Sequence, residues 1–166
     1  GIGIASIGFN SKIMPVKTSR NDLRNNLGTA LIAYGDKGIK YAADNGADII
    51  NCSWGGYNYS SASQAIIEYA VSKGALVVAA AGNDGSSRNF YPSSYDGVLS
   101  VGATSFVDQK PSWSNYGTKL DVTAPGVGIY STWYNNAYVK KQGTSMASPI
   151  AAGLAGLVKS QFPNFT

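Results

Sequence analysis

Ser145 lies in the run Gly143-Thr144-Ser145-Met146-Ala147-Ser148-Pro149, at the head of a long apolar stretch that reads as a helix. A hydroxyl at the start of a helix sits where backbone N–H groups are free and the helix dipole is positive. Such donors can hold the oxyanion that forms when a hydroxyl attacks a carbonyl. The chemistry would be nucleophilic acyl transfer. The commoner role of Ser or Thr ahead of a helix is an N-cap, which is structural, and local physics alone favours it. The run is not a Gly-x-Ser-x-Gly nucleophile elbow, because Ala147 fills its last place. A second segment, Gly82-Asn83-Asp84-Gly85, reads as a tight turn, and a turn can hold an asparagine amide rigidly enough to donate. A nucleophilic serine needs a base, usually a histidine held by an aspartate. This sequence has no histidine.

Other chemistries fit poorly. Cys52 is the single cysteine, so an internal disulfide is excluded, and its apolar run Ile49-Ile50-Asn51-Cys52 predicts a buried, inert thiol. With neither histidine nor a second cysteine, a zinc-type site has too few ligands. The net charge of +4 is scattered, and the longest basic run is Lys140-Lys141. That argues for a mildly basic surface and against a nucleic-acid partner. No apolar stretch approaches the ~20 residues of a membrane span, so no membrane partner is expected. Signal-peptide patterning is missing, and the chain opens on Gly1 instead of Met, which predicts further sequence upstream.

The elements that must position these residues follow from the apolar pattern. Hydrophobic residues make up 44% and charged residues 13% of 166 positions, enough for a core and the size of one domain. Lys12 to Lys17 reads as a strand. A helical region follows, with Leu31, Ile32, Ile39, Ala42 and Ala43 on its stripe, ending at Asn45-Gly46. Strands are expected near 48–53, 75–81, 98–102 and 120–124, the last stopped by Pro125-Gly126, with a helix from Ser63 to Lys73 and a late hairpin at Tyr138-Val139. The strands are continuously apolar and alternate with helices. This predicts an α/β fold, a parallel sheet sandwiched between helices, with its site at the carboxyl ends of the strands. From Ser145 to Gln161 the helix carries no charge before Lys159, which predicts a helix buried in the core.

Gly143 to Pro149 resembles the nucleophile motif of the subtilisin-like serine peptidases, the subtilase or S8 family. Further matches fall in family order: Lys12 to Lys17, Ile50-Asn51-Cys52-Ser53-Trp54-Gly55-Gly56, Val78 to Asn83, Tyr91-Pro92 with Val98 to Ala103, Ser114 to Gly117 and Asp121 to Gly126. The likeness implies a three-layer α/β/α subtilisin-like fold and a serine endopeptidase with a polypeptide substrate. It makes Ser145 the acylating nucleophile and Asn83 the oxyanion-hole side chain. The Ser145 N–H becomes the second donor, and the Thr144 hydroxyl an assistant. By the same likeness Ser53, Trp54, Gly55 and Gly56 bind the substrate backbone by strand addition, and Ala80, Ala81 and Gly82 line the site. Taken as bare sequence, Ser53 to Gly55 is an ordinary strand end with a buried Trp.

In the family the catalytic Asp and His precede the point where this chain begins, in the order Asp, His, Ser. Residues 1–166 are therefore expected to be a partial peptidase domain, incomplete at the N-terminus and at the C-terminus. Its partner would be the missing N-terminal half of the same domain, and the piece would be inactive alone. Two alternatives stay open: a catalytically dead peptide-binding module, and a sedolisin-type peptidase with a glutamate base. No cofactor is required for the chemistry, but the resemblance implies structural calcium. Its weak cation site would use Ser93, Tyr95, Val98 and Asp121, and Ile2 and Ile4 would belong to a tighter one; Asp121 could equally be a strand-end residue bonding to backbone. The resemblance further implies secretion. The specificity pocket would be lined by Ser53 to Gly56, Ala80 to Asn83 and residues near Phe90 and Tyr91, with apolar or aromatic side chains as the expected occupants.

Overall fold

A computed structural model describes residues 3, 4, 6–8, 10–24 and 30–164. β1 (Ser19–Arg24) and β2 (Ala30–Ile32) form an antiparallel pair, followed by α1 (Gly35–Asp44), β3 (Ile49–Cys52), α2 (Ser61–Ser72) and β4 (Leu76–Ala80). β5 (Val98–Thr104), β6 (Val122–Pro125), the antiparallel hairpin β7 (Ile129–Thr132) and β8 (Tyr138–Lys141), and α3 (Thr144–Gln161) complete the chain.

Boundaries follow local chemistry. Ser60 caps α2, its Oγ accepting from Ser63 N–H at 3.2 Å. Just past the C-caps of α1 and α2, Gly46 (φ 76°) and Gly74 (φ 87°) adopt the left-handed conformation that turns the chain into the next strand. β3, β4, β5 and β6 pair in that order, all parallel. Side chains alternate across the sheet. Val77 and Ala79 pack with Ile39, Ile67 and Ala70 of α1 and α2, whereas Val78, Val101, Ala103 and Ala124 pack with Ala147 of α3. Helices thus cover both faces, and the fold is the expected three-layer α/β/α arrangement.

Three expectations need correcting. Residues 12–17 join no strand ladder, and Ile13 is 82% exposed; an apolar run becomes a strand only where a partner offers its backbone. Leu31 and Ile32 belong to β2, not to a helical stripe, because α1 starts only at Gly35. The last helix is buried only in part: Thr144, Ala147 and Ser148 are fully enclosed, but Leu154, Leu157 and Val158 are exposed. No helix or strand among the described residues covers that outer side. A smaller difference is that Pro125 pairs with Thr104 inside β6. Of the two isoleucines of the tighter cation site, Ile2 lies outside the described residues.

Candidate functional site

Parallel strands bring several segments to one edge. Ser53 follows β3, Ala81 to Asn83 follow β4, and Gly126 follows β6. Gly143 N–H donates to Gly126 O at 2.8 Å, which sets the first turn of α3 over this edge. Gly126 has no room for a side chain there: a Cβ would lie 2.6 Å from Ala103 Cβ and 2.9 Å from Gly143 O.

Ser145 is not the helix cap. The N-cap residue is Gly143 (φ 146°), which has no side chain to offer, and Ser145 is the second helical residue. The cap comes from a distant turn. Asn83 Oδ1 accepts from Thr144 N–H at 2.8 Å and from the Thr144 hydroxyl at 3.0 Å. Thr144 Oγ1 in turn accepts from Gly82 N–H at 3.2 Å. Thr144 is wholly buried, so its hydroxyl fastens the Asn83 turn to the helix and does not face a ligand. With Oδ1 committed to two donors, the Asn83 amide keeps Nδ2 free to donate. The Ser145 N–H, one of the orphan donors of a first turn, has no acceptor among the described residues.

Half-buried Ser145 and Ser53 bond reciprocally. Ser145 Oγ donates to Ser53 O at 3.3 Å, and Ser53 Oγ donates to Ser145 O at 3.0 Å. Pro149 explains the second bond. It stands four residues beyond Ser145 and lacks the N–H that would satisfy the Ser145 carbonyl within the helix, so a side chain takes over. Ser148 Oγ donates to Asn51 Oδ1 at 2.7 Å, and Asn51 Nδ2 donates to Ser53 Oγ at 3.0 Å. A chain of bonds therefore runs from α3 to the end of β3 and back to Ser145.

A family model described as Subtilase family (Peptidase_S8) matches residues 1–166. The chain belongs to the subtilase family. It is 48% identical over 162 residues to "Thermophilic serine proteinase" of Bacillus sp. (strain AK1), covering 98% of this chain and 39% of that protein. Over 159 residues it is 42% identical to "Thermitase" of Thermoactinomyces vulgaris, covering 96% and 55%. Among solved structures, a protease from Pseudoalteromonas arctica superposes with a TM-score of 0.88 at 34% identity, covering 99% of this chain and 55% of that one. This subtilase chain spans 39–55% of the length of these three proteins.

The segments assigned to substrate contact in the subtilase chain differ in their free groups. Gly56 N–H and C=O are both taken by Tyr91, at 2.8 and 2.7 Å, so Gly56 anchors a neighbouring loop. Ala81 N–H donates to Val101 O, Ala81 O accepts from Asn115 Nδ2 at 2.8 Å, and Gly82 O accepts from Asn115 N–H at 3.1 Å. The stretch from Ala80 to Gly82 is thus a wall with its bonds spent inside the protein, while the backbone groups of Trp54 and Gly55 have no backbone partner among the described residues.

Asn115 is the residue whose role was missed. The motif Ser114 to Gly117 was visible, but not its function. Asn115 is 2% exposed, and its Oδ1 also accepts from Asp84 N–H and Ser86 N–H, both at 3.0 Å. One buried amide therefore holds the turn that carries Asn83. Gly82 (φ 105°) makes this possible, since a Cβ there would meet Asn115 Nδ2 at 2.3 Å.

Calcium takes six to eight oxygens, and the residues expected at a weak cation site would offer the carbonyls of Ser93, Tyr95 and Val98 and the carboxylate of Asp121. Asp121 supplies the one carboxylate of that set, and it already accepts from Ser100 N–H at 2.8 Å. Ser93 Oγ donates to Phe90 O, and Tyr95 O accepts from Val98 N–H. The positive charge beside this loop is Lys119, 2.8 Å from Asp96. Among the described residues no cluster of three acidic, His or Cys side chains could hold a metal. Cys52 is inert as expected: burial, with a smaller push from Asp36, raises its thiol to about 12.

Proposed function

We propose that the protein carrying this chain is a serine endopeptidase that cuts polypeptides through an acyl-enzyme on Ser145. The supporting observation is the lock on Asn83: Thr144 holds Oδ1 from two donors, which leaves Nδ2 free to donate, and the N–H of Ser145, the residue after Thr144, has no acceptor among the described residues. These two donors would receive the oxyanion. An extended substrate would lie along Ser53 to Gly55. Ser145 Oγ would form a bond to the scissile carbonyl carbon as its proton passes to a base. The C–N bond would then break, the base returning that proton to the leaving amine, and water would hydrolyse the ester.

The 166 residues contain no histidine, so the base in this proposal comes from elsewhere in the parent protein. By itself the chain would then have an unactivated alcohol at Ser145 and no useful turnover. Secretion is part of the same proposal and rests on the family resemblance alone.

The test is to express the parent protein and expose it to a serine-directed fluorophosphonate and a peptide substrate. Wild type is expected to label and to hydrolyse, and Ser145→Ala to do neither. The 166-residue chain alone should not label. Equal labelling of wild type and Ser145→Ala, or no labelling in either, would overturn the peptidase reading and favour a peptide-binding module.

A further inference from the structure

The pairing of β3 with β4 ends at Cys52 and Ala79, and beyond it the Phe90 ring fits between the two chains, against Gly55 and Gly82. Ser53 to Gly55 runs on one side and Ala81 to Gly82 on the other. If Ser145 is the nucleophile, this gap has a defined use. Ser53 O lies 3.3 Å from Ser145 Oγ, and Asn83 directly follows Gly82. A substrate residue that offered its carbonyl to Ser145 and Asn83 while lying along Ser53 to Gly55 would have the gap between Gly55 and Gly82 beside it for its side chain.

That gap already holds an aromatic ring from this chain. A Cβ built on Gly55 would lie 2.4 Å from Phe90 Cε1 and 2.9 Å from Phe90 Cδ1. One built on Gly82 would lie 3.1 Å from Phe90 Cγ. The two glycines therefore make room for Phe90, whose ring touches both walls at once. Nor is the ring loosely attached. Phe90 N–H donates to Ser94 Oγ at 3.0 Å, Phe90 O accepts from Ser94 N–H at 2.9 Å and from Ser93 Oγ at 2.6 Å, and the next residue is bridged to Gly56. Tyr57 packs edge-on against the ring at 5.2 Å between centroids. Its hydroxyl is tied to Asp84 at 2.5 Å, and the Arg88 guanidinium lies over its ring, 4.3 Å from the centroid.

We infer that Phe90 fills the specificity crevice and restricts cleavage to peptide bonds that follow a small residue, Gly, Ala or Ser. The inference rests on the serine-peptidase reading above and reverses the expectation of an aromatic or large apolar occupant. Close-packed interiors tolerate little added volume, so a large substrate side chain could enter only by displacing a ring held through its backbone on both sides.

The experiment uses the parent protein and two chromogenic peptides that differ only in Ala or Phe before the scissile bond. Wild type is expected to show a kcat/KM about ten-fold or more higher for Ala, and Phe90→Gly to raise kcat/KM for the Phe peptide by about ten-fold or more. A wild type that prefers Phe, or an active Phe90→Gly enzyme with an unchanged Ala-to-Phe ratio, would overturn the inference and leave the peptidase reading standing. Failure to hydrolyse any peptide or to label with the phosphonate would overturn both. Should Phe90→Gly not fold, cleavage of a peptide library by wild type decides: cuts after Gly, Ala or Ser support the inference, and cuts after Phe, Tyr or Leu end it.

Discussion

At its first turn α3 packs one face tightly: Thr144, Ala147 and Ser148 are each 0% exposed, and the hydroxyls of Thr144 and Ser148 both have partners. Three turns later, Leu154 is 56%, Leu157 40% and Val158 45% exposed. Neither stretch carries a charge before Lys159, so charge does not separate them. Surroundings do. The first turn meets the carboxyl ends of four strands and the turn carrying Asn83, whereas no described helix or strand covers the outer side of the last turns. Burial is thus a property of the neighbours a helix meets, and the enclosed end is the one where the chemistry is proposed.

The sharpest way to break this comparison is at Asn83, which caps the crowded end and supplies the proposed oxyanion donor. In the parent protein Asn83→Ala should lose about 10²–10³ in kcat, the size known for an oxyanion-hole asparagine in subtilisin, a relative. It should also lose about 1 kcal/mol of stability with the cap. Asn83→Asp keeps an acceptor for Thr144 N–H but no Nδ2. Its melting temperature should stay near wild type while kcat falls by a similar factor. Steady-state kinetics beside thermal melts separate the two roles, and a normal kcat in both variants would reduce Asn83 to a structural cap.

Next in size is Asn115→Ala. It strands Ala81 O, Asp84 N–H and Ser86 N–H, all served by one buried side chain. The expected cost is about 1–3 kcal/mol, read by chemical denaturation of the parent protein. A variant as stable as wild type would show that the turn holds itself.

The smallest effect belongs to the exposed end. Leu154→Gln with Leu157→Gln should change the stability of the 166-residue chain by no more than about 0.5 kcal/mol. Its self-association, read by light scattering, should nonetheless fall, because bare apolar surface is unfavourable by about 25 cal/mol per Å². The unmodified chain alone is expected to aggregate. A sharp, reversible, monomeric melt of that chain would remove the contrast between the two ends of α3.

Much of the fold was legible because its signals are local. Apolar runs bounded by Gly46, Gly74 and Gly82 marked β3 and β4, and the helix expected from Ser63 to Lys73 is α2, which starts two residues earlier at Ser61. The family motif around Ser145 singled out the serine even though local physics favoured a cap, and the structure shows why that physics misled: the cap is Asn83, 61 residues away along the chain. Residues 12–17 failed as a strand for the complementary reason, since an extended apolar run says nothing about whether another strand lies beside it. The same holds for the whole length of α3, for Asn115 and for Phe90. Sequence determined which segments could be strand, helix or turn, and which serine and asparagine deserved scrutiny, because those properties reside in side chains and their spacing. Tertiary structure alone decided that Asn83 reaches Thr144, that Pro149 leaves a carbonyl for Ser53, and that Phe90 lies between two glycines, because each depends on distances between residues far apart in the chain.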